Sequence, residues 1–149
     1  MNYEENQKGG VISIALILAM AGLIVTFFLK EDEGRMSSLA FIAMTVCLAV
    51  VYALFSSLKT QVGSGEIQLK YGVGLIRKQI LIRDISEVKV VRNKWFYGWG
   101  IRFYGSGWLW NYSGLDAVEL SFKDRNLKFR IGSRNAEKLK LVIEENLTN

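Results

Sequence analysis

Residues 11–58 read VISIALILAMAGLIVTFFLKEDEGRMSSLAFIAMTVCLAVVYALFSSL, and this stretch decides what shape the chain can take. It holds two apolar runs, 11–29 and 39–58, neither of which carries a charge. A hydrocarbon core of about 30 Å needs roughly 20 apolar residues in a helix, and both runs meet that length. Residues 30–38 (KEDEGRMSS) form a polar loop so short that the two helices must pack antiparallel or nearly so. The stretch predicts a transmembrane helical hairpin that holds everything after it at a membrane surface. Ala15, Ala19 and Gly22 share one face of the first helix, and Ala49, Ala53 and Ser57 share one face of the second. Small residues at such spacings let backbones approach closely in lipid, as the seam of the hairpin or as a face offered to another subunit.

Residues 1–10 (MNYEENQKGG) are polar and read as a loose N-terminal tail. Ala19-Met20-Ala21 has the form of a signal-peptide cleavage site. The leading segment carries Glu4 and Glu5 against Lys8, however, and the apolar run continues past the cut to Leu29. The run therefore reads as a retained anchor. Basic residues set orientation. Lys8 precedes the hairpin, Lys59, Lys70, Arg77 and Lys78 follow it, and Lys30 and Arg35 lie in its loop. This predicts a two-pass protein of the inner (cytoplasmic) membrane with both termini in the cytoplasm.

Charge and composition narrow the chemistry. Of 149 residues half are hydrophobic, and the net charge is +5. From Lys59 onward sixteen basic residues face nine acidic ones, whereas the first 58 residues carry three and five. A basic domain beside a bilayer is drawn to anionic headgroups, at about 1 kcal/mol per Lys or Arg near the surface. The positive-inside bias and a solvated surface produce the same excess without any ligand. There is no His, the commonest general base and a common metal ligand. The single cysteine, Cys47, falls inside the second apolar run as a small packing residue. No glycine-lysine-Ser/Thr phosphate loop occurs, and Gly98-Trp99-Gly100 lacks the remaining glycine of a dinucleotide loop. Asp84, Asp116 and Asp124 each sit beside a turn, where Asp serves the backbone. The sequence predicts no enzyme, no cofactor and no metal site.

After the hairpin, residues 59–65 read as a flexible linker and the period changes to two. Ile67, Leu69 and Tyr71 alternate with polar residues, as do Val88 and Val90, then Val118, Leu120 and Phe122, then Leu127, Phe129 and Ile131. Such alternation marks strands with one wet face. Turn signals at 72–74, 83–84, 93–94, 105–107, 113–114 and 123–126 divide the region into about seven strands. Trp108, Trp110 and Tyr112 share one strand face and are expected to fill the core together. The last segment returns to a helical period. Residues 134–147 place Ala136, Leu139, Val142, Ile143 and Leu147 on one face, with Ser133 as the expected N-cap.

Two motifs add a family likeness. Residues 97–118 (YGWGIRFYGSGWLWNYSGLDAV) and the Arg130-Ile131-Gly132-Ser133 step into the last helix resemble small bacterial membrane proteins with two N-terminal helices and a pleckstrin-homology-like (PH-like) domain. The resemblance implies an α+β membrane protein: a helical hairpin, then, over residues 66–149, a seven-stranded antiparallel β-barrel or sandwich closed by the C-terminal helix. It implies a platform for lipid headgroups or protein segments, which is fold-level analogy.

Two clusters are candidate binding sites. Nine aromatic residues fall between Trp95 and Tyr112, with Gly98 and Gly100 bracketing Trp99. They suit a barrel core with a glycine-enabled corner, an interfacial anchor or a docking surface. A basic set, Arg77, Lys78, Arg83, Lys89, Arg92, Lys94 and Arg102, falls in the early strands. Arg77, Lys78, Lys89, Arg92, Lys94, Arg102, Trp95 and Trp99 are the expected binding residues for lipid or partner, with Lys89, Arg92 and Lys94 foremost. The expected function is a scaffold or accessory subunit that binds a protein in the same membrane or its own copies. The alternative is a module that reads anionic membrane lipids. Nucleic acid is set aside, because no recognition motif accompanies the charge.

Overall fold

The computed structural model describes residues 2–29 and 37–148. Strand β1 (Tyr3–Lys8) leads into helices α1 (Val11–Leu29) and α2 (Ser38–Phe55). Strands β2 (Ser57–Gly63), β3 (Glu66–Tyr71), β4 (Ile76–Leu81), β5 (Ile85–Arg92), β6 (Gly100–Phe103), β7 (Gly107–Asn111), β8 (Asp116–Phe122) and β9 (Lys128–Gly132) follow, and helix α3 (Ala136–Thr148) closes the chain. The class is α+β. Most of the polar loop between α1 and α2, including Lys30 and Arg35 of the orientation argument, lies outside the described residues.

Both helices are long and apolar enough to cross a membrane. They pack against each other, and Phe27 stacks on Phe41 at 4.1 Å. The expected small-residue seam is corrected. Ala15, Ala19, Gly22 and Ala49 are exposed, while Ala53 and Ser57 are half-buried near the base; along the middle of the helices the less exposed positions are Leu16, Met20, Leu23 and Phe27 on α1 with Phe41, Thr45 and Leu48 on α2. Larger side chains spaced three and four residues apart fill the groove between the helices better than a stripe without side-chain volume.

The β region forms two sheets, ordered β1-β2-β3-β4 and β5-β8-β9-β7-β6. The first is fully antiparallel. In the second, β7 runs parallel to β9. Among the described residues, nine strands in two sheets replace the expected seven, and no closed barrel forms. The extra strands are the polar β1 and β2, which falls on the segment expected as a linker; the expected Ile101–Phe103 strand is β6. The linker expected at 59–65 is also corrected. Leu58, Thr60 and Val62 are buried and alternate along β2, and only Ser64 and Gly65 turn, with φ of 53° and 77°. Two left-handed residues match the twist of a tight hairpin.

The expected loose tail is corrected over its described part: Tyr3–Lys8 is a strand. β1 pairs along β2, with Lys8 opposite Ser57. Its inward side chains are polar but satisfied. Gln7 donates to the Gly132 carbonyl at 2.9 Å and accepts from Ser113 Oγ, while Glu5 accepts from Ser133 Oγ and the Arg134 N–H. β1 thus ties the first sheet to the β9–α3 connection. Asn135, not Ser133, caps α3: its Oδ1 accepts from the Lys138 N–H at 3.2 Å. Ala136, Leu139, Val142 and Ile143 are buried on one helical face as the period demands, against β5 and β8.

The helical pair is spliced between two paired strands. Gly9 and Gly10 separate β1 from α1, and Ser56 alone separates α2 from β2. The junction closes on Tyr112, which is fully buried. Its hydroxyl donates to the Ser56 carbonyl at 2.5 Å and accepts from the Gly10 N–H at 3.2 Å. Ser13 Oγ lies 2.7 Å from the same hydroxyl. Helix ends leave N–H and C=O groups without intrahelical partners, and here one phenol serves both ends. The β3–β4 turn clasps α2 from the other side, with the Val73 N–H on the Ala53 carbonyl at 3.1 Å and the Gly72 N–H on the Ser57 carbonyl at 2.8 Å.

Two expectations follow. Tyr112→Phe keeps the ring and removes the shared hydroxyl, and should lower stability by about 1–3 kcal/mol, read as a fall in the unfolding midpoint in detergent. Gly72 and Gly65 both have positive φ, but a Cβ at Gly72 would lie 2.0 Å from the Ala53 carbonyl oxygen, whereas at Gly65 it meets open space. Gly65→Ala should therefore cost about 1–2 kcal/mol for its backbone alone, and Gly72→Ala distinctly more in the same melt.

Candidate functional site

The two sheets part on the side of β4 and β6, leaving an apolar cleft of about 340 Å³. Ile80 on β4 faces Ile101, Trp110 and Phe129 of the second sheet across it. Trp108 stands at the mouth, 46% exposed, edge-on to Phe103 at 5.7 Å. Leu127, also half exposed, lies on the same lip. This corrects the expectation that Trp108 fills the core with Trp110 and Tyr112: those two are buried, but the third residue on that face reaches the opening. Three cations line the cleft, Lys78, Arg125 and Lys128. Lys78 occupies an inward register position opposite Leu69, where the alternation calls for an apolar residue. The Arg125 guanidinium lies 3.9 Å above the Phe122 ring.

An aromatic chain connects this cleft to the helix bases. The Phe55 ring is 5.7 Å from Tyr71, Tyr71 is 5.6 Å from Trp110, and Trp110 is 6.1 Å from Phe129. Tyr71 is fixed at its far end by donating to the Asn111 carbonyl at 2.9 Å.

The expected binding residues do not form one patch. Arg77 and Lys78 lie on β4 in the first sheet, whereas Lys89 and Arg92 lie on β5 in the second. Lys89 pairs with Glu87 at 2.8 Å, and Arg92 sits opposite Asp116. Lys94, Trp95, Trp99 and Arg102 do come together around the 3₁₀ turn Trp95–Tyr97. Lys94 lies over the Phe96 ring, Trp95 is 78% exposed, and the Arg102 Nε–H donates to the Trp99 carbonyl at 3.1 Å. The expected cations on β5, Lys89 and Arg92, are thus opposed by acids, and the cleft cations Arg125 and Lys128 are not among the expected residues. Only the pairing of β7 with β9 brings them beside Trp108, and a parallel pair leaves no local signal in sequence.

Behind the cleft, on the outer face of the second sheet, lies a charged cluster that alternation had assigned to open water. Glu119 is buried, bonded to Lys128 Nζ and Arg130 Nε at 2.7 Å each. Tyr104 donates to the same carboxylate at 3.2 Å, and the Arg130 guanidinium stacks 4.2 Å from the Tyr104 ring. Burial pushes the Glu119 carboxyl up, but the hydrogen bonds from Lys128 and Arg130 outweigh it and hold the group below its ordinary value. Lys128 thus belongs to both features and is held at the cleft by its carboxylate.

A carboxylate held down in the folded state stabilises the fold fully above its unfolded pKa of about 4.3. That contribution fades as pH falls through the lower folded value. Glu119→Gln should cost about 2 kcal/mol at neutral pH, and its melts between pH 3 and 6 should show a shallower loss of stability than those of the unchanged protein.

No protein-family model matches this chain, and no curated protein matches it in sequence.

Proposed function

We propose that this chain is a non-enzymatic, two-pass membrane protein whose β domain docks a protein partner in the same membrane, as an accessory or scaffold subunit. Both termini and the domain are read on the cytoplasmic side of the inner membrane, following the basic residues around the hairpin. The domain is read as PH-like. A four-stranded antiparallel meander, a second sheet and a C-terminal helix laid against it support that reading, while the parallel β7–β9 pair departs from it.

The observation that carries the proposal is the inter-sheet cleft with its exposed lip. Its lining offers apolar surface and positive charge, with no carboxylate, thiol or hydroxyl among the lining side chains. That is recognition chemistry, and its complement is an apolar segment bearing acidic residues. Trp and Arg dominate the energy of many protein interfaces, and Trp108 and Arg125 flank this opening. Anchoring both proteins in one membrane raises their effective concentration, so a small contact is enough.

A photo-crosslinking residue at position 108 of the full-length protein, in intact membranes, tests this. The expected result is one discrete protein adduct whose crosslinked segment is apolar and acidic. Lys78→Glu with Arg125→Glu should reduce that adduct at least about tenfold, as reversal of two interfacial charges does. Adducts unchanged by the charge reversal, or formed with lipid alone, would overturn the proposal.

A further inference from the structure

The outer face of the first sheet sorts its side chains by distance from the helices. Register places Lys59, Lys70 and Arg77 directly beside one another in a row across β2, β3 and β4, with Asn6 completing it on β1. Lys8 lies in the row one step nearer the helices, opposite Ser57. The next outward row away from the helices is Glu4, Gln61, Gln68 and Gln79, and the last includes Glu66. Cations therefore occupy the helix-proximal rows, three amides and Glu4 the middle one, and Glu66 the distal one. Like charges directly opposite on neighbouring strands destabilise a sheet unless an anion sits between them. Lys59 has Glu4 at 2.8 Å. Among the described residues no carboxylate pairs with Lys70 or Arg77.

The β3–β4 hairpin repeats this order along its own length. Its tip carries Val73 and Leu75, 67% and 75% exposed, and is bonded to the last turn of α2 through the Ala53 carbonyl. Lys70 stands three residues before Val73 and Arg77 two after Leu75, about 7–10 Å along the strands. Gln68 and Gln79 come next and line, with the two cations, Leu69 and Lys78, a recess on β3 and β4. Apolar tip, then cations, then neutral amides, then acid is the sequence of environments met on leaving a bilayer: acyl boundary, phosphate layer, water.

We propose that this face, built on Lys59, Lys70 and Arg77 with the Val73–Leu75 tip beneath it, binds the headgroups of anionic phospholipids in the bilayer that holds α1 and α2. The proposal rests on the two-pass reading above and is independent of the cleft. The tip sits at the depth of the final helical turn, and the cations lie within about a Debye length of the surface. The β5 cations, Lys89 and Arg92, face acids and take no part.

The test uses the full-length protein in mild detergent, with phosphatidylglycerol or phosphatidylcholine added and retained lipid counted by native mass spectrometry. The unchanged protein should retain phosphatidylglycerol in preference by roughly tenfold, as expected for two cations near a surface. Lys70→Gln with Arg77→Gln should abolish the preference, and Lys89→Gln with Arg92→Gln should keep it. Loss in both double variants, loss in neither, or no preference at the outset would overturn the proposal. Displacement of phosphatidylglycerol by a soluble polyglutamate peptide, with equal affinity for it, would reassign the face to an acidic protein segment and also overturn it. Alkaline carbonate extraction of membranes separates the two levels. Release of the protein sinks the two-pass reading itself, whereas retention with no lipid preference sinks only the lipid face.

Discussion

Two helix ends and the interior of a β domain meet at the Tyr112 hydroxyl. It donates to the carbonyl that ends α2 and accepts from the N–H that precedes α1. The helical pair grows directly from adjacent, paired strands, so its base cannot shift without breaking the β1–β2 ladder. The turn carrying Gly72 and Val73 closes the other side, bonding the Ala53 carbonyl in the last turn of α2 and the Ser57 carbonyl at the start of β2. Helix termini need partners wherever water is scarce, and here the sandwich supplies them from its own core and loops. The junction therefore ties the base of both helices to the β domain and sets its posture relative to them.

That posture gives the domain a proximal and a distal end. Near the helices lie Val73, Leu75 and the cation row. Farther away the cleft opens past Trp108 and Leu127. On the proposed readings the proximal end meets lipid and the cleft meets a protein, and neither surface depends on the other. The aromatic chain from Phe55 through Tyr71 and Trp110 to Phe129 joins the two ends physically. Glu119 is the other fixed point. Its bonds hold Lys128 at the cleft and Arg130 between two tyrosine rings, which keeps the outer face of the second sheet from being loosely solvated.

The legible parts of this chain share one property: they are local. Charge-free runs of membrane length, the alternation in β3, β8 and β9, the turn residues between strands and the single apolar face of α3 all repeat within a few residues, so each can be read without knowing its neighbours. The polar segment 1–10 misled because β1 faces inward with Tyr3, Glu5 and Gln7, whose partners Gly132, Ser113, Ser133 and Arg134 lie more than a hundred residues away. The expected joint at 59–65 misled for the same reason, since Gln61 and Gly63 look like a tether until they are paired.

Sequence by itself determined that two apolar helices precede a β-rich domain ending in an amphipathic helix, because hydrophobic periodicity is imposed by the nearest turn of backbone. Tertiary structure decided which charges stand together. Lys59, Lys70 and Arg77 are eleven and seven residues apart in the chain and become neighbours only through strand register. Trp108, Arg125 and Lys78 meet only where two sheets fail to close. Register and sheet order are set by the sum of many weak long-range contacts, and no single stretch of sequence carries that sum.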